Sequence, residues 1–172
     1  MKRKAIKTFK QFDTKHILLA SKKDIVLFDE VEPDPSIALV KRVAELARKS
    51  AADVVIGLGG GSSIDSAKIA AALVTNTEDI NKYIGIDLLQ EEALPIIAIP
   101  TTAGTGSEVT PIAILSDEEE QLKKGIVSAK IIPRYAVLDP CLTTGLPAHI
   151  TAVTGMDALT HALEAYISIK AN

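Results

Sequence analysis

The stretch ADVVIGLGGGSSIDSAKIAAALVTN, residues 52–76, constrains the fold more than any other part of the chain. Its apolar run, DVVIGLG, breaks on glycines and restarts as an alanine-rich run whose length suits a helix. A strand, a tight turn and a helix in direct succession open a βαβ unit. At such a junction the first backbone N–H groups of the helix lack internal partners, and their dipoles sum to a partial positive charge. Gly59, Gly60 and Gly61 remove the Cβ atoms that would hold an anion at a distance. Ser62 and Ser63 add hydroxyl donors or a helix cap. The run is not a Walker A loop, and it is not a full dinucleotide fingerprint, because the sixth position from Gly57 is Ser62. Glu78 and Asp79, about 20 positions further on, fall in a loop where a ribose contact would be accidental. Spacing alone leaves two readings open, a seat for a diphosphate and a structural turn.

A second loop bears on that choice. ALPIIAIP, residues 93–100, is a continuous apolar strand, and the polar segment TTAGTGSE follows it. Thr101, Thr102, Thr105 and Ser107 alternate there with Gly104 and Gly106. Ligands of open α/β sheets bind beyond the carboxyl ends of the strands, and both glycine-bearing loops leave strands at that edge. Hydroxyls that only cap local turns are the alternative for each residue taken singly.

The rest of the chain supports an α/β fold. HILLA and DIVLF are short strands separated by SKKD, and DEVEPDPS is a loop in which Ser36 is placed to cap the next helix. IALVKRVAELARKS carries an apolar stripe at Leu39, Val43, Leu46 and Ala47. Short strands are expected at PIAILS, KGIVSA and YAVLD, and LPAHITAVTGMDALTHALEAYISIK closes the chain with helical pattern. With 47% hydrophobic but only 3% aromatic residues, the core must be built from Ile, Leu, Val and Ala, a palette suited to helices packed on a parallel sheet. A change of domain is expected near Pro147 to Thr154. Residues 1–150 then form a partial nucleotide-binding α/β domain, and 151–172 begin a helical one with its own stripe at Leu159, Leu163 and Tyr166.

Charge and cysteine usage narrow the functional classes. A formal net charge of −3 gives no reason to expect nucleic acid or an anionic membrane as partner. The single cysteine, Cys141, can form no intrachain disulfide, and no signal peptide or run of about 18 apolar residues occurs, so the expected location is cytoplasmic.

In TGMDALTHALEAY, Asp157 and His161 stand at i and i+4, which brings both side chains to one helix face. A carboxylate and an imidazole at that spacing can chelate one divalent cation, or they can form a simple hydrogen bond. Glu164 lies one turn beyond and would at most support such a site. His16 and His149 have no partner at chelating distance in sequence, and no Ser-His-Asp or Cys-His nucleophile can be assembled, so no catalytic acid, base or nucleophile is assigned.

Five stretches, VEPDPS, GLGGGSSIDSAK, IPTTAGTGSEVTP, KIIPRYAVLDP and TGMDALTHALEAY, stand in an order that resembles the iron-containing (group III) alcohol dehydrogenases, over about residues 25 to 170. The resemblance implies a Rossmann-like parallel-sheet nucleotide-binding domain followed by the first helix of an all-helical domain, as in dehydroquinate synthase-like architecture. It implies that Gly59, Gly60, Gly61 and Ser62 hold the diphosphate of NAD or NADP, with Asp65 a further cofactor-binding residue and Lys68 at a motif position beside it. Thr101, Thr102, Thr105 and Ser107 inherit cofactor contacts, and Leu138 and one of Lys123 or Lys124 are weaker candidates. Asp157 and His161 match two of four metal ligands, for Fe2+ or Zn2+. The implied reaction is hydride transfer between a small alcohol or its aldehyde and NAD(P), with the metal polarising the alcohol oxygen. The related glycerol dehydrogenase activity and a non-catalytic nucleotide-binding or assembly module are the alternatives.

Against that family the chain reads as truncated on both sides. HILLASKKDIVLF leaves no room for the helix of a parallel crossover, which needs a dozen or more residues, and the acidic selector between NAD and NADP belongs to that region. Two ligands fall short of the roughly three protein ligands that even an open catalytic site keeps. The expectation is therefore a fragment that is inactive or weakly active alone, working as a homo-oligomer or with a complementing C-terminal chain.

Overall fold

The computed structural model describes residues 15–20, 25–118 and 120–169. The basic opening segment, the SKKD linker at 21–24, and the last three residues of the chain lie outside the described residues.

The expected βαβ unit is at the centre. β3 (Val54–Gly59) runs into α2 (Gly61–Thr75), and the chain returns in β5 (Ile96–Pro100), parallel to β3 with Gly59 opposite Pro100. β8 (Tyr135–Ala136) extends the parallel set beyond β5. On the other side β1 (Lys15–Ala20) lies antiparallel to β3, and β2 (Ile25–Phe28) antiparallel to β1, giving the order β2-β1-β3-β5-β8. The sheet is thus mixed. A short connection between HILLA and DIVLF permits only a hairpin, and a hairpin reverses direction.

PIAILS and KGIVSA are strands as expected, but they belong to a different sheet. β6 (Ile112–Asp117) and β7 (Leu122–Val127) form an antiparallel hairpin, and the two-residue β4 (Gly85–Ile86), which the sequence did not signal, pairs parallel to β7. β6 alternates cleanly, with Ala113 and Leu115 buried and Ile112 and Ile114 outward, as a half-covered strand should.

Helix α1 (Ile37–Lys49) starts where Ser36 accepts a hydrogen bond from the Leu39 N–H at 3.1 Å, and it ends with Arg48 and Lys49 against its carbonyl end. Its buried stripe is Leu39, Val40, Val43, Ala44 and Ala47, while Leu46 is only partly covered. That stripe packs on α2, which in turn contacts β3, β5 and β6. α2 is consequently buried on nearly every side, including Ile64, Ile69 and Leu73. Each such side chain contributes about 1.5–3 kcal/mol. Small residues bring α2 close to the sheet, since a Cβ on Gly57 would lie 3.0 Å from the Ala67 Cβ and 3.2 Å from the Ile64 Cα.

Helix α3 (Ala148–Ile167) begins after Pro147 and carries no buried side chain. Val153, Met156, Leu159, Leu163 and Tyr166 are all exposed, so the apolar stripe expected at Leu159, Leu163 and Tyr166 has no cover among the described residues. No helix among the described residues is long and apolar enough to cross a membrane.

Candidate functional site

β3, β5 and β8 run parallel, so their carboxyl ends lie on one edge, and there the loop after β5 and the Asp34 loop meet the glycine turn at the N-terminus of α2. Gly59 ends β3 with φ +150°, a backbone conformation that side chains with a Cβ rarely adopt. Gly60 is the N-cap of α2 and has no side-chain capping bond. The first intrahelical bond is donated by Ser63 to the Gly60 carbonyl at 3.1 Å, so the amides of Gly61 and Ser62 precede the helical ladder. Neither serine caps the helix. Ser62 Oγ accepts from the Asp34 N–H at 3.3 Å, and Ser63 is buried.

The second loop is fastened to this turn at its root, where the Thr101 N–H donates to the Gly59 carbonyl at 2.9 Å. A Cβ on Gly60 would touch the Thr102 side chain at 3.4 Å, and one on Gly61 would stand only 2.8 Å from Thr105 Cγ2. Gly61 is therefore what lets Thr105 reach the helix start. The Thr101 hydroxyl is buried and meets no partner among the described residues, and Ser107 is buried with its Oγ donating to Asp65 Oδ1. The motif residues are thus gathered as the sequence implied, with bare amides, glycines and hydroxyls on one edge. Such a donor set suits an anion.

Asp65 and Lys68 are placed differently from the cradle residues. Asp65 lies under the second loop, where burial pushes its carboxyl up against the opposing hydrogen bonds from Ser107 and Ile114 and the charge of Lys68. Lys68 is fully buried, donating from Nζ to the carbonyls of Thr110 and Ile112. Burial brings its amine down to about 8, with Asp65 and Glu108 opposing the shift. Of the two weaker lysine candidates, Lys123 pairs with Asp34 at 2.7 Å beside the glycine turn, whereas Lys124 is engaged with Asp117 and Glu120. Leu138, two residues past β8, is 67% exposed at the same edge.

Sequence reasoning missed Asp34, whose positive φ of 53° turns its N–H toward Ser62, and Thr154, which meets the second loop. A Cβ on Gly104 would fall 2.5 Å from the Thr154 carbonyl oxygen. VEPDPS, already read as a loop with two prolines, carried the only advance signal for Asp34. Asp157 and His161 follow Thr154 at three and seven residues, which puts them on the helix face that meets this loop. His161 Nε2 is 3.7 Å from Asp157 Oδ1, and the two side chains are 58% and 41% exposed. Among the described residues no third His, Cys, Asp or Glu joins them in a cluster able to hold a metal ion.

Comparison with known proteins agrees with this geometry. The family model for iron-containing alcohol dehydrogenases matches residues 5–140. Alcohol dehydrogenase 4 of Saccharomyces cerevisiae is 42% identical over 149 residues, covering 87% of this chain and 39% of the yeast protein. The 1,3-propanediol dehydrogenase of Citrobacter freundii is 45% identical over 149 residues, covering 87% of this chain and 38% of the relative. Sulfoacetaldehyde reductase from Bifidobacterium kashiwanohense, solved in complex with NAD+, superposes with a TM-score of 0.76 at 41% identity over 81% of this chain and 37% of that one. The chain therefore spans about two fifths of the length of the relatives it matches. Within that span, fold, motif order and sequence identity agree, and the chain belongs to the iron-containing alcohol dehydrogenase family.

Proposed function

We propose that this chain is the nucleotide-binding part of an NAD(P)-dependent alcohol dehydrogenase acting on a small alcohol or its aldehyde. The observation that carries the reading is the uncapped start of α2, where Gly60 and Gly61 face Thr102 and Thr105. The amides of Gly61 and Ser62 bind the diphosphate, Gly59 lets the chain turn beneath it, and Thr101, Thr102, Thr105, Ser107 and Leu138 line the approach. Relatives named for activity on propanediol, alcohols and sulfoacetaldehyde support a small hydroxyl or carbonyl substrate. NAD is favoured by the NAD+ complex of the Bifidobacterium relative, and NADP is the second cofactor to test.

Asp157 and His161 supply a carboxylate oxygen and an imidazole nitrogen to a divalent metal, iron or zinc. When bound, that metal provides Lewis-acid polarisation of an alcohol oxygen. This pair is an incomplete set, because catalytic sites keep about three protein ligands. The isolated chain is therefore proposed to bind cofactor with little or no turnover. We place the domain change at residue 150, with α3 opening a helical unit whose exposed stripe is covered by a complementing C-terminal segment or by a second copy of the chain. A purely non-catalytic binding module is the second reading, and the two-member metal set is the observation in its favour.

Calorimetric titration of the folded chain with NADH and with NADPH tests the proposal. Saturable binding of either, weakened about tenfold or more by Gly61→Val, is expected. A folded chain that gives no heat with both would overturn it. Alcohol-dependent NAD(P)H formation by the pure chain, lost in Asp157→Ala, would overturn the expectation of little turnover.

A further inference from the structure

Asp65 and Lys68 stand at i and i+3 on α2, so both side chains leave the helix toward the same neighbour, and that neighbour is the segment 107–114. Asp65 Oδ1 accepts from Ser107 Oγ at 2.5 Å, and Oδ2 accepts from the Ile114 N–H at 3.0 Å. Lys68 Nζ donates to the Thr110 carbonyl at 2.8 Å, to the Ile112 carbonyl at 2.9 Å and to Thr110 Oγ1 at 3.3 Å. Two neighbouring side chains thereby take up five polar groups of a segment at least 42 residues away.

We infer that Asp65 and Lys68 are positioning residues: a buried clamp that holds the second loop against the start of α2, without touching the cofactor themselves. The inference rests on the nucleotide-binding reading of that edge. Three observations carry it. Both oxygens of Asp65 are already taken by the loop, and Lys68 is fully buried with its amine turned to loop carbonyls. The segment 102–106 is strung between two anchors, the Thr101 N–H on Gly59 at one end and Ser107 on Asp65 at the other. Thr102 and Thr105, which meet Gly60 and Gly61, lie between those anchors. Releasing the distal anchor frees them from the helix start.

The test uses the full chain, Lys68→Met, Asp65→Asn and a control, Asn76→Ala. Asn76 caps the opposite end of α2, where its side chain bonds to the Ala72 and Glu91 carbonyls and accepts from the Gln90 and Glu91 amides. Two readouts are taken: hydrogen exchange of amides 101–114 without cofactor, and affinity for NADH and NADPH. Either clamp variant should speed exchange in 101–114 about tenfold or more relative to α2 and weaken the bound coenzyme about tenfold. Asn76→Ala should lower the thermal midpoint with affinity unchanged. If one clamp variant fails to fold, the other carries the comparison. Unchanged loop exchange in a folded clamp variant, or faster exchange with unchanged affinity, overturns the clamp and leaves the cradle standing. A wild-type chain that binds neither coenzyme removes the cradle and the positioning role together.

Discussion

Gly61 and Thr105 are neighbours that admit no atom between them: a Cβ built on Gly61 stands 2.8 Å from Thr105 Cγ2 and 3.2 Å from its Oγ1. Gly61 is also the first residue of α2, so the loop approaches the helix at the point where its amides are free. Replacing Gly61 by valine must push Thr105 away or distort the helix start. The expected outcome is a loss of about 1–3 kcal/mol in stability, as for other overpacked positions, read from denaturant midpoints. Coenzyme affinity should fall with it, whereas Gly145→Ala, where a Cβ meets nothing within 4 Å, should change neither.

A second contact of the same kind joins the loop to α3. The Cβ of an alanine at 104 would sit 2.5 Å from the Thr154 carbonyl oxygen, and a backbone atom yields less readily than the end of a side chain. Gly104→Ala should therefore displace α3 from the loop, at a cost of about 1–3 kcal/mol. Exchange of the amides around Thr154 should rise while those of β3 and α1 stay protected. Equal protection throughout α3 would mean that the helix does not rest on this loop.

Lys68 gives the chain a defined alkaline response. In the unfolded chain its amine keeps its proton up to about 10.5, whereas in the folded chain burial releases it at about 8. Between those values the unfolded state binds more protons, so raising the pH favours the folded state. The folded chain should gain up to about 3 kcal/mol from this group between pH 8 and 10.5. Comparison with Lys68→Met isolates the contribution of this group. The stability of the wild type should rise relative to that variant across this window, measured by urea unfolding at several pH values. A difference that stays flat or falls would mean that the buried amine keeps an ordinary affinity for its proton.

What could be read in the sequence follows from distance along the chain. The Ser36 cap, α1, β3, α2 and the i,i+4 pair of Asp157 and His161 depend on residues within one or two turns of each other, and their spacing states them directly. The glycine turn was legible as a choice between two readings, and it became a candidate seat once Thr102 and Thr105 were placed against it. Asp65 and Lys68 were legible only as motif positions, because their partners lie 42 to 49 residues away and no periodicity encodes such a pairing. The allocation of PIAILS and KGIVSA to a second sheet was hidden for the same reason, since a strand's pattern records which face is buried and not what buries it.

Asp157 and His161 fall short of a catalytic metal site. Asp157 and His161 present one oxygen and one nitrogen 3.7 Å apart on an exposed helix face, and no third ligand clusters with them among the described residues. A cation held by two donors keeps most of its water and exchanges readily, whereas closing the shell to three or four protein ligands brings the affinity of a catalytic site. Zn2+ titrated into the pure chain should therefore bind weakly at neutral pH. Asp157→Ala and His161→Ala should each abolish that binding with coenzyme affinity unaltered, since the diphosphate seat is proposed at the start of α2 and not on α3. Tight binding that survives both substitutions would place the metal elsewhere in the chain and detach this helix from the proposed chemistry.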